Sequence, residues 1–250
     1  MKKDPSSKNT TKFYNELVEG KKNFTFFSNE TRFNIDNILN KKNLTKYFDN
    51  KIEQYLSDDL DILDYGCGPG TFLIKLSRMT KSKLFGADIS GKFIEQSKFN
   101  FDKFNLTNID TIKVEPEKLP YSDKKFDIIF LIDVIHHLDN IEKNLDEIKR
   151  VLKKNGKIII YEPNKLNPII WMMHLIDKNE RGLFRVGSFN RYREIFKNHE
   201  FKIEKEDYNG IVIGPTSKIL DLLSDILNNK YIYPILGFLN PKIFMVVGKN

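Results

Sequence analysis

Residues 62–70 read Ile-Leu-Asp-Tyr-Gly-Cys-Gly-Pro-Gly, and Thr-Phe-Leu-Ile-Lys-Leu-Ser-Arg-Met follows at 71–79. A short apolar run ends in the acid Asp64, glycines stand at Gly66, Gly68 and Gly70, and a helix-forming stretch begins at Thr71. A strand that stops at a glycine turn and feeds a helix is the loop with which doubly wound α/β proteins hold a nucleotide. Lacking Cβ, glycine reaches positive φ and lets the backbone come close to a ligand. The helix start then offers unpaired N–H groups and the positive end of its dipole. The spacing is not that of the dinucleotide fingerprint, which needs glycines at positions 1, 3 and 6. Counted from Gly66, position 6 is Thr71, and Asp64 precedes the first glycine by two residues.

Downstream, strands and helices alternate. Apolar runs predict strands at Ile62–Tyr65, Lys83–Asp88, Ile109–Val114, Phe126–Ile132 and Lys157–Tyr161, with two more at Phe201–Asp207 and Ile243–Gly248. Helical periods lie at 71–79, 91–103 and 141–153, the last with Ile141, Leu145, Ile148 and Leu152 on one face. This order predicts an α/β fold, a doubly wound and mostly parallel seven-stranded sheet. Residues 1–60 read as an N-terminal helical cap, in which Tyr14, Leu17 and Val18 give one apolar face and Leu44, Tyr47, Phe48, Ile52, Tyr55 and Leu56 a better one. Residues 61–250 form the main domain. Two insertions near 167–187 and 209–241 are more apolar than ordinary loops, the first carrying Pro-Ile-Ile-Trp-Met-Met-His-Leu-Ile.

The pattern Asp64-x-Gly66-x-Gly68-x-Gly70 resembles motif I of the class I S-adenosylmethionine-dependent methyltransferases. Three further segments match that family in order. Asp88 ends the second strand, 18 residues after Gly70, where a carboxylate accepts from both ribose hydroxyls, with Ile89 beside it. The stretch Val114-Glu-Pro-Glu-Lys-Leu-Pro-Tyr-Ser-Asp-Lys-Lys-Phe-Asp is similar to the family's acid, Leu-Pro-Phe and Phe-Asp segment. The resemblance implies that Glu115 and Pro116 flank the adenine. The family usually has Asp at the first of these, and Pro116 has no N–H to offer the ring, so either Glu117 supplies that donor or the adenine is held less specifically. Leu131-Ile-Asp-Val-Ile-His-His-Leu-Asp is similar to the segment after the fourth strand, which implies that a carbonyl near Leu131 or Ile132 meets the methionine ammonium. The implied cofactor is S-adenosylmethionine, leaving as S-adenosylhomocysteine. Asp64, Gly66, Cys67, Gly68 and Gly70 would form its methionine-side wall. An aromatic near the N-terminus, Tyr14 or the cluster Phe24, Phe26 and Phe27, is expected to close over it.

Methyl transfer from a sulfonium proceeds in line, so the protein contributes chiefly by alignment and by excluding water. A base is required only for a poorly acidic acceptor. His136 and His137, at the carboxyl edge of the sheet, are the candidates, and Glu162 at the end of the fifth strand is placed to orient one ring. Asp133 and Asn164 share that edge. The chain lacks Asp/Asn-Pro-Pro-Tyr after the fourth strand, reading Asp133-Val-Ile-His instead, and its one cysteine, Cys67, is misplaced for cytosine C5 chemistry. Both features disfavour a nucleic-acid acceptor despite a net charge of +7, and the pair His136-His137 with Leu119-Pro120-Tyr121 resembles the small-molecule, quinone-methyltransferase-like branch. The acceptor reading is O- or C-methylation of a sugar, polyketide, quinone-like or lipid-linked molecule. The apolar insertions are read as a lid, a homodimer interface or a peripheral membrane contact. A cofactor-binding protein without catalysis remains the alternative. No metal site is expected, since neither a second cysteine nor a histidine motif accompanies Cys67. The start lacks an apolar leader and no apolar run spans a bilayer, so a cytoplasmic chain is expected.

Overall fold

The computed structural model describes residues 7–22, 42–177, 180, 182–210 and 218–249. The aromatic cluster at 23–30 and part of the second insertion, 211–217, lie outside the described residues. One seven-stranded sheet runs β3-β2-β1-β4-β5-β7-β6. Its strands are β1 (Asp61–Tyr65), β2 (Lys83–Asp88), β3 (Ile109–Lys113), β4 (Phe126–Ile132), β5 (Leu152–Pro163), β6 (Phe201–Asn209) and β7 (Lys242–Lys249). β1 to β5 pair in parallel. β7 then inserts antiparallel between β5 and β6. Strand order reverses between β1 and β4, and ligands of open α/β sheets bind at the carboxyl ends of the strands at such a switch point.

The helices are α1 (Ser7–Val18), α2 (Lys42–Ile52), α3 (Thr71–Leu76), α4 (Gly91–Lys103), α5 (Ile141–Val151), α6 (Pro168–Ile176), α7 (Leu183–Val186), α8 (Phe189–Asn198), α9 (Lys218–Leu227) and α10 (Tyr233–Leu236). Alternate residues of the central strands bury on opposite faces of the sheet, as the two-residue period of a strand requires. Leu63, Ile129, Leu131, Ile158 and Met245 pack under α5 and α8. Ile62, Ile128, Phe130, Ile159 and Phe244 pack under α2, α3 and α4. β4 is therefore apolar on both faces, as a central strand must be. α2 joins this second core through Phe48, whose ring lies 4.4 Å from that of Tyr161, and through Ile52, which is fully buried. Lys75 of α3 donates to Asp49 of α2 at 2.6 Å.

Two boundaries differ from expectation by three residues or more. α3 stops at Leu76, the chain continuing in turns through Met79. β5 begins at Leu152, five residues early, because Leu152 already pairs with Phe126 before the register shifts at Lys157. Asn155 takes φ 67° within that irregular stretch, which is how a strand absorbs the turn residues Lys153–Gly156.

Candidate active site

The chain after β1 turns through three left-handed glycines, Gly66 at φ 82°, Gly68 at 51° and Gly70 at 77°. The turn is tied to the neighbouring strand: Gly66 and Cys67 N–H donate to the Ala87 carbonyl at 2.7 and 3.2 Å. Gly66 also has no room for a side chain, since a Cβ there would collide with Val134. The segment after β4 is thereby held directly against the glycine turn.

Asp88 closes the other side. One oxygen accepts from Gly68 N–H at 2.9 Å and the other from Ser90 N–H at 2.8 Å. Ser90 in turn caps α4, its hydroxyl accepting from Phe93 N–H at 3.2 Å. Burial pushes Asp88 up to about 6, against the pull of its two N–H donors. Asp64, beneath the turn, is pushed up to about 8 by burial and then by the Asp88 charge. No cation among the described residues pairs with Asp64. Cys67 is buried and its thiol is raised well above the ordinary range by desolvation and by both acids, so it fills the turn as an inert small side chain. Gly86 leaves it that room, since a Cβ there would lie 2.8 Å from the Cys67 sulfur.

Beyond β4 a short 3-10 turn, Ile135–His137, carries both histidines. Glu162, fully buried at the end of β5, anchors it. One Glu162 oxygen accepts from Val134 and Ile135 N–H at 2.6 and 2.8 Å. The other lies 2.6 Å from His136 Nδ1, which must donate to it. Tyr192 of α8 donates to the same oxygen at 3.5 Å. His136 Nε2 lies 3.2 Å from Glu180. Burial opposes charge on His136, but Glu162 and Glu180 outweigh it and hold the ring up at about 9. His137 turns its Nε2 to the Tyr14 hydroxyl at 3.1 Å, with the two rings edge to face, and the same nitrogen lies 3.6 Å from Glu180.

Tyr14 arrives on α1, which docks over α4 by packing Phe13 and Leu17 on Phe93. The Ser90 hydroxyl bonds Asn15 at 2.6 Å. The cap helix thus spans from the α4 start, next to Asp88, to the histidine turn. Of the other expected site residues, Leu131 is buried in the core at the end of β4, with Ile132 half-buried beside it. Ile89 packs against the core after β2. Glu115 is solvent-exposed, 3.8 Å from Lys113, and Pro116 is half-buried beside it. Glu117 adopts φ 65° in the same turn. Asp133 pairs with Lys242 of β7. Asn164 is committed to structure, its amide donating to the Phe238 and Asn240 carbonyls at 2.8 Å each.

A family model described as a methyltransferase domain matches residues 56–213. The chain belongs to that family. A ubiquinone biosynthesis O-methyltransferase of Pelagibacter ubique is 34% identical over 125 residues, covering 50% of this chain and 51% of the relative. A sterol 4-C-methyltransferase of Caenorhabditis elegans is 32% identical over 132 residues, covering 50% of this chain and 37% of the relative. Relatives at similar identity include tRNA U34 carboxymethyltransferases of Campylobacter jejuni. The chain spans about half or less of the length of these curated relatives. A solved S-adenosylmethionine-dependent methyltransferase from Aquifex aeolicus shares the fold, with TM-score 0.61 and 19% identity over 87% of this chain and 97% of the other.

The class I methyltransferase domain takes its methyl from S-adenosylmethionine, and the residues present fit that donor. A buried acid, raised by desolvation and lacking a paired cation among the described residues, lies beneath the glycine turn. It suits a ligand that brings both a sulfonium and an ammonium. Sequence reasoning missed His174, Glu180, Tyr192 and Gly182. The first two lie in the apolar insertion, where neither has a motif. Gly182 is detectable only in three dimensions: a Cβ there would run into the His136 carbonyl.

Proposed function

We propose that this methyltransferase domain moves the methyl of S-adenosylmethionine onto an oxygen or carbon of an apolar small-molecule acceptor, with His137 taking the acceptor's proton. The observation that carries this is the contact of Gly66 with Val134. It sets the histidine turn against the glycine loop, within a few residues of the methyl donor's wall. In this reading Asp64, Gly66, Cys67, Gly68 and Gly70 hold the methionine end, the carbonyls of Leu131 and Ile132 face its ammonium, Asp88 and Ile89 hold the ribose, and Glu115 and Pro116 border the adenine. His136 is unsuited to be the base, because both ring nitrogens face carboxylates and it carries a proton at neutral pH. His136 and Glu162 instead position the turn. His137 is partly open, and its Nε2 can exchange a proton with the Tyr14 hydroxyl. Tyr14 closes the site on the acceptor side.

An apolar acceptor is supported by exposed Ile169, Trp171, Met172 and Ile176 on α6 and by exposed Leu222 and Leu223 on α9. The sterol and ubiquinone names of two relatives point the same way. Titration calorimetry with S-adenosylmethionine, S-adenosylhomocysteine and NAD tests the donor: heat with the first two and none with the third is expected, and no heat with either of the first two overturns the reading. Turnover on a panel of quinol, sterol and sugar acceptors, with unmodified tRNA alongside, then tests the acceptor class. His137→Gln should lower kcat by about a hundredfold or more, the usual contribution of a positioned general base, while cofactor affinity stays within about twofold. Equal turnover by the variant would remove His137 as the base.

A further inference from the structure

Three of the chain's four histidines converge at one place, and the methyl-transfer reading uses only one of them as a proton acceptor. His136 and His137 come from the turn after β4, and His174 from α6, near the end of the first apolar insertion. Glu180 follows α6 and meets all three. Its Oε2 lies 3.2 Å from His136 Nε2, 3.6 Å from His137 Nε2 and 3.7 Å from His174 Nε2.

The tautomers can be read from the outer partners. His174 Nδ1 lies 3.0 Å from the Ile170 carbonyl, an acceptor, so Nδ1 carries the hydrogen and Nε2 presents a lone pair. That Nε2 is buried and has no hydrogen-bond partner among the described residues. It therefore aims a lone pair at a carboxylate oxygen, an arrangement that calls for a cation between them. His136 Nδ1 likewise donates to Glu162 and its Nε2 turns toward Glu180, where an ion would take the place of the proton that Nε2 carries in the metal-free chain. A histidine whose far nitrogen donates to a buried carboxylate is the usual outer shell of a metal ligand. Glu162 is itself fixed by two backbone N–H groups and the Tyr192 hydroxyl.

We propose that His136 Nε2, His174 Nε2 and a Glu180 carboxylate oxygen form a binding site for a divalent transition cation of the zinc class. Two ligand atoms on a tetrahedral ion at about 2.1 Å are about 3.4 Å apart. The two Glu180 edges of this triangle, 3.2 and 3.7 Å, bracket that value, and all three ligand atoms lie within 4.8 Å of one another. Two imidazoles and one carboxylate leave a fourth position for water or an acceptor oxygen, as in zinc sites that work on a ligand. The imidazole-rich set favours zinc, cobalt, nickel or iron over magnesium or calcium. With the imidazoles neutral, Glu162 and Glu180 give the pocket two negative charges for the ion to offset. His137 keeps its bond to Tyr14 and borders the ion without being needed as a ligand. The site does not depend on which acceptor is methylated, or on methylation at all.

The test uses the full chain, untagged, stripped with a chelator and then titrated with zinc chloride and, separately, cobalt chloride. One equivalent of each should bind, and the cobalt form should show the visible bands of a four-coordinate site. His174→Gln and Glu180→Gln should each weaken zinc at least tenfold while far-UV dichroism and S-adenosylmethionine binding stay as in the parent. His199→Gln, which alters the one histidine outside the cluster, should bind zinc as the parent does. No saturable zinc or cobalt binding to the parent overturns the proposal. So does zinc affinity that survives in both cluster variants, or that falls with His199→Gln. If His174→Gln fails to fold, the near-isosteric Glu180→Gln decides alone. Loss of the methyl-transfer reading would appear as absent S-adenosylmethionine heat and leaves these metal titrations unaffected.

Discussion

Glu162 receives four donors at the end of β5: Val134 N–H, Ile135 N–H, His136 Nδ1 and the Tyr192 hydroxyl. A carboxylate is suited to this because it accepts through both oxygens and carries the charge that matches a protonated His136. Glu162→Ala would strand two buried N–H groups and a buried imidazolium at once. Breaking a buried ion pair from one side costs roughly 3–5 kcal/mol, which for a chain of this size lowers the melting temperature by roughly 10 °C. Glu162→Gln keeps one acceptor oxygen for the backbone pair but loses the charge and the acceptor that faces His136 and Tyr192, so its midpoint should fall between parent and Ala variant. Thermal denaturation of the three proteins checks the order. Equal midpoints for parent and Ala variant would mean that the turn is held by something other than this carboxylate.

The glycine turn and the histidine turn act as one unit because of a missing side chain. Gly66 sits at φ 82° with Val134 where its Cβ would be. Gly66→Ala meets two separate penalties, the left-handed backbone and the collision. The first alone is about 1–2 kcal/mol, so S-adenosylmethionine affinity should fall about tenfold or more. Adding Val134→Ala removes the collision and leaves the backbone penalty, and calorimetry on the single and double variants separates the two. No recovery in the double variant would show that Val134 does not hold the turns together. The turn itself was legible in the chain, because alternate glycines after an apolar strand have few other uses. So were β2, β4 and α4, whose periods are set by burial on one or two faces. The place of β7 between β5 and β6 was not legible, since an edge strand and a central one read alike over eight residues. Nor was the His174–Glu180 part of the site. Its residues come from an insertion whose composition signals only apolar helix, and they meet His136 because Gly182 lets the chain pass against the His136 carbonyl. Tyr14 was legible as an aromatic on an amphipathic helix; its partner His137 emerged only when α1 docked on α4.

At the scale of the whole molecule, the two insertions are tied together and leave an apolar exterior. Asn167 donates to the Leu239 carbonyl at 2.6 Å and Asn164 to those of Phe238 and Asn240. Trp171, the only tryptophan, is 46% exposed on α6. No helix among the described residues is long and apolar enough to cross a membrane. A chain of net charge +7 with such a face should meet anionic vesicles, burying the indole and shifting its emission to the blue, and salt should reverse the effect. Unchanged emission at low salt would assign the face to a lid or a second copy. The acids under the cofactor loop give a second property of the whole chain, the pH dependence of folding. Asp64 and Asp88 are raised to about 8 and about 6 from an ordinary 3.8, burial being the main cause for both. Between about pH 4 and 8 these two acids therefore hold more protons in the folded chain than in the unfolded one, and the stability they contribute falls as pH rises through that window. The cofactor-free protein should melt several degrees lower at pH 8 than at pH 5.5. Asp64→Asn, neutral at every pH, should flatten that decline. S-adenosylmethionine, whose positive charge favours the ionised acid, should flatten it too and expel a proton on binding at pH 7. Calorimetry in phosphate and in Tris, which differ in ionisation heat, reads that proton directly. Identical enthalpies in the two buffers would mean that Asp64 is already ionised before the cofactor arrives.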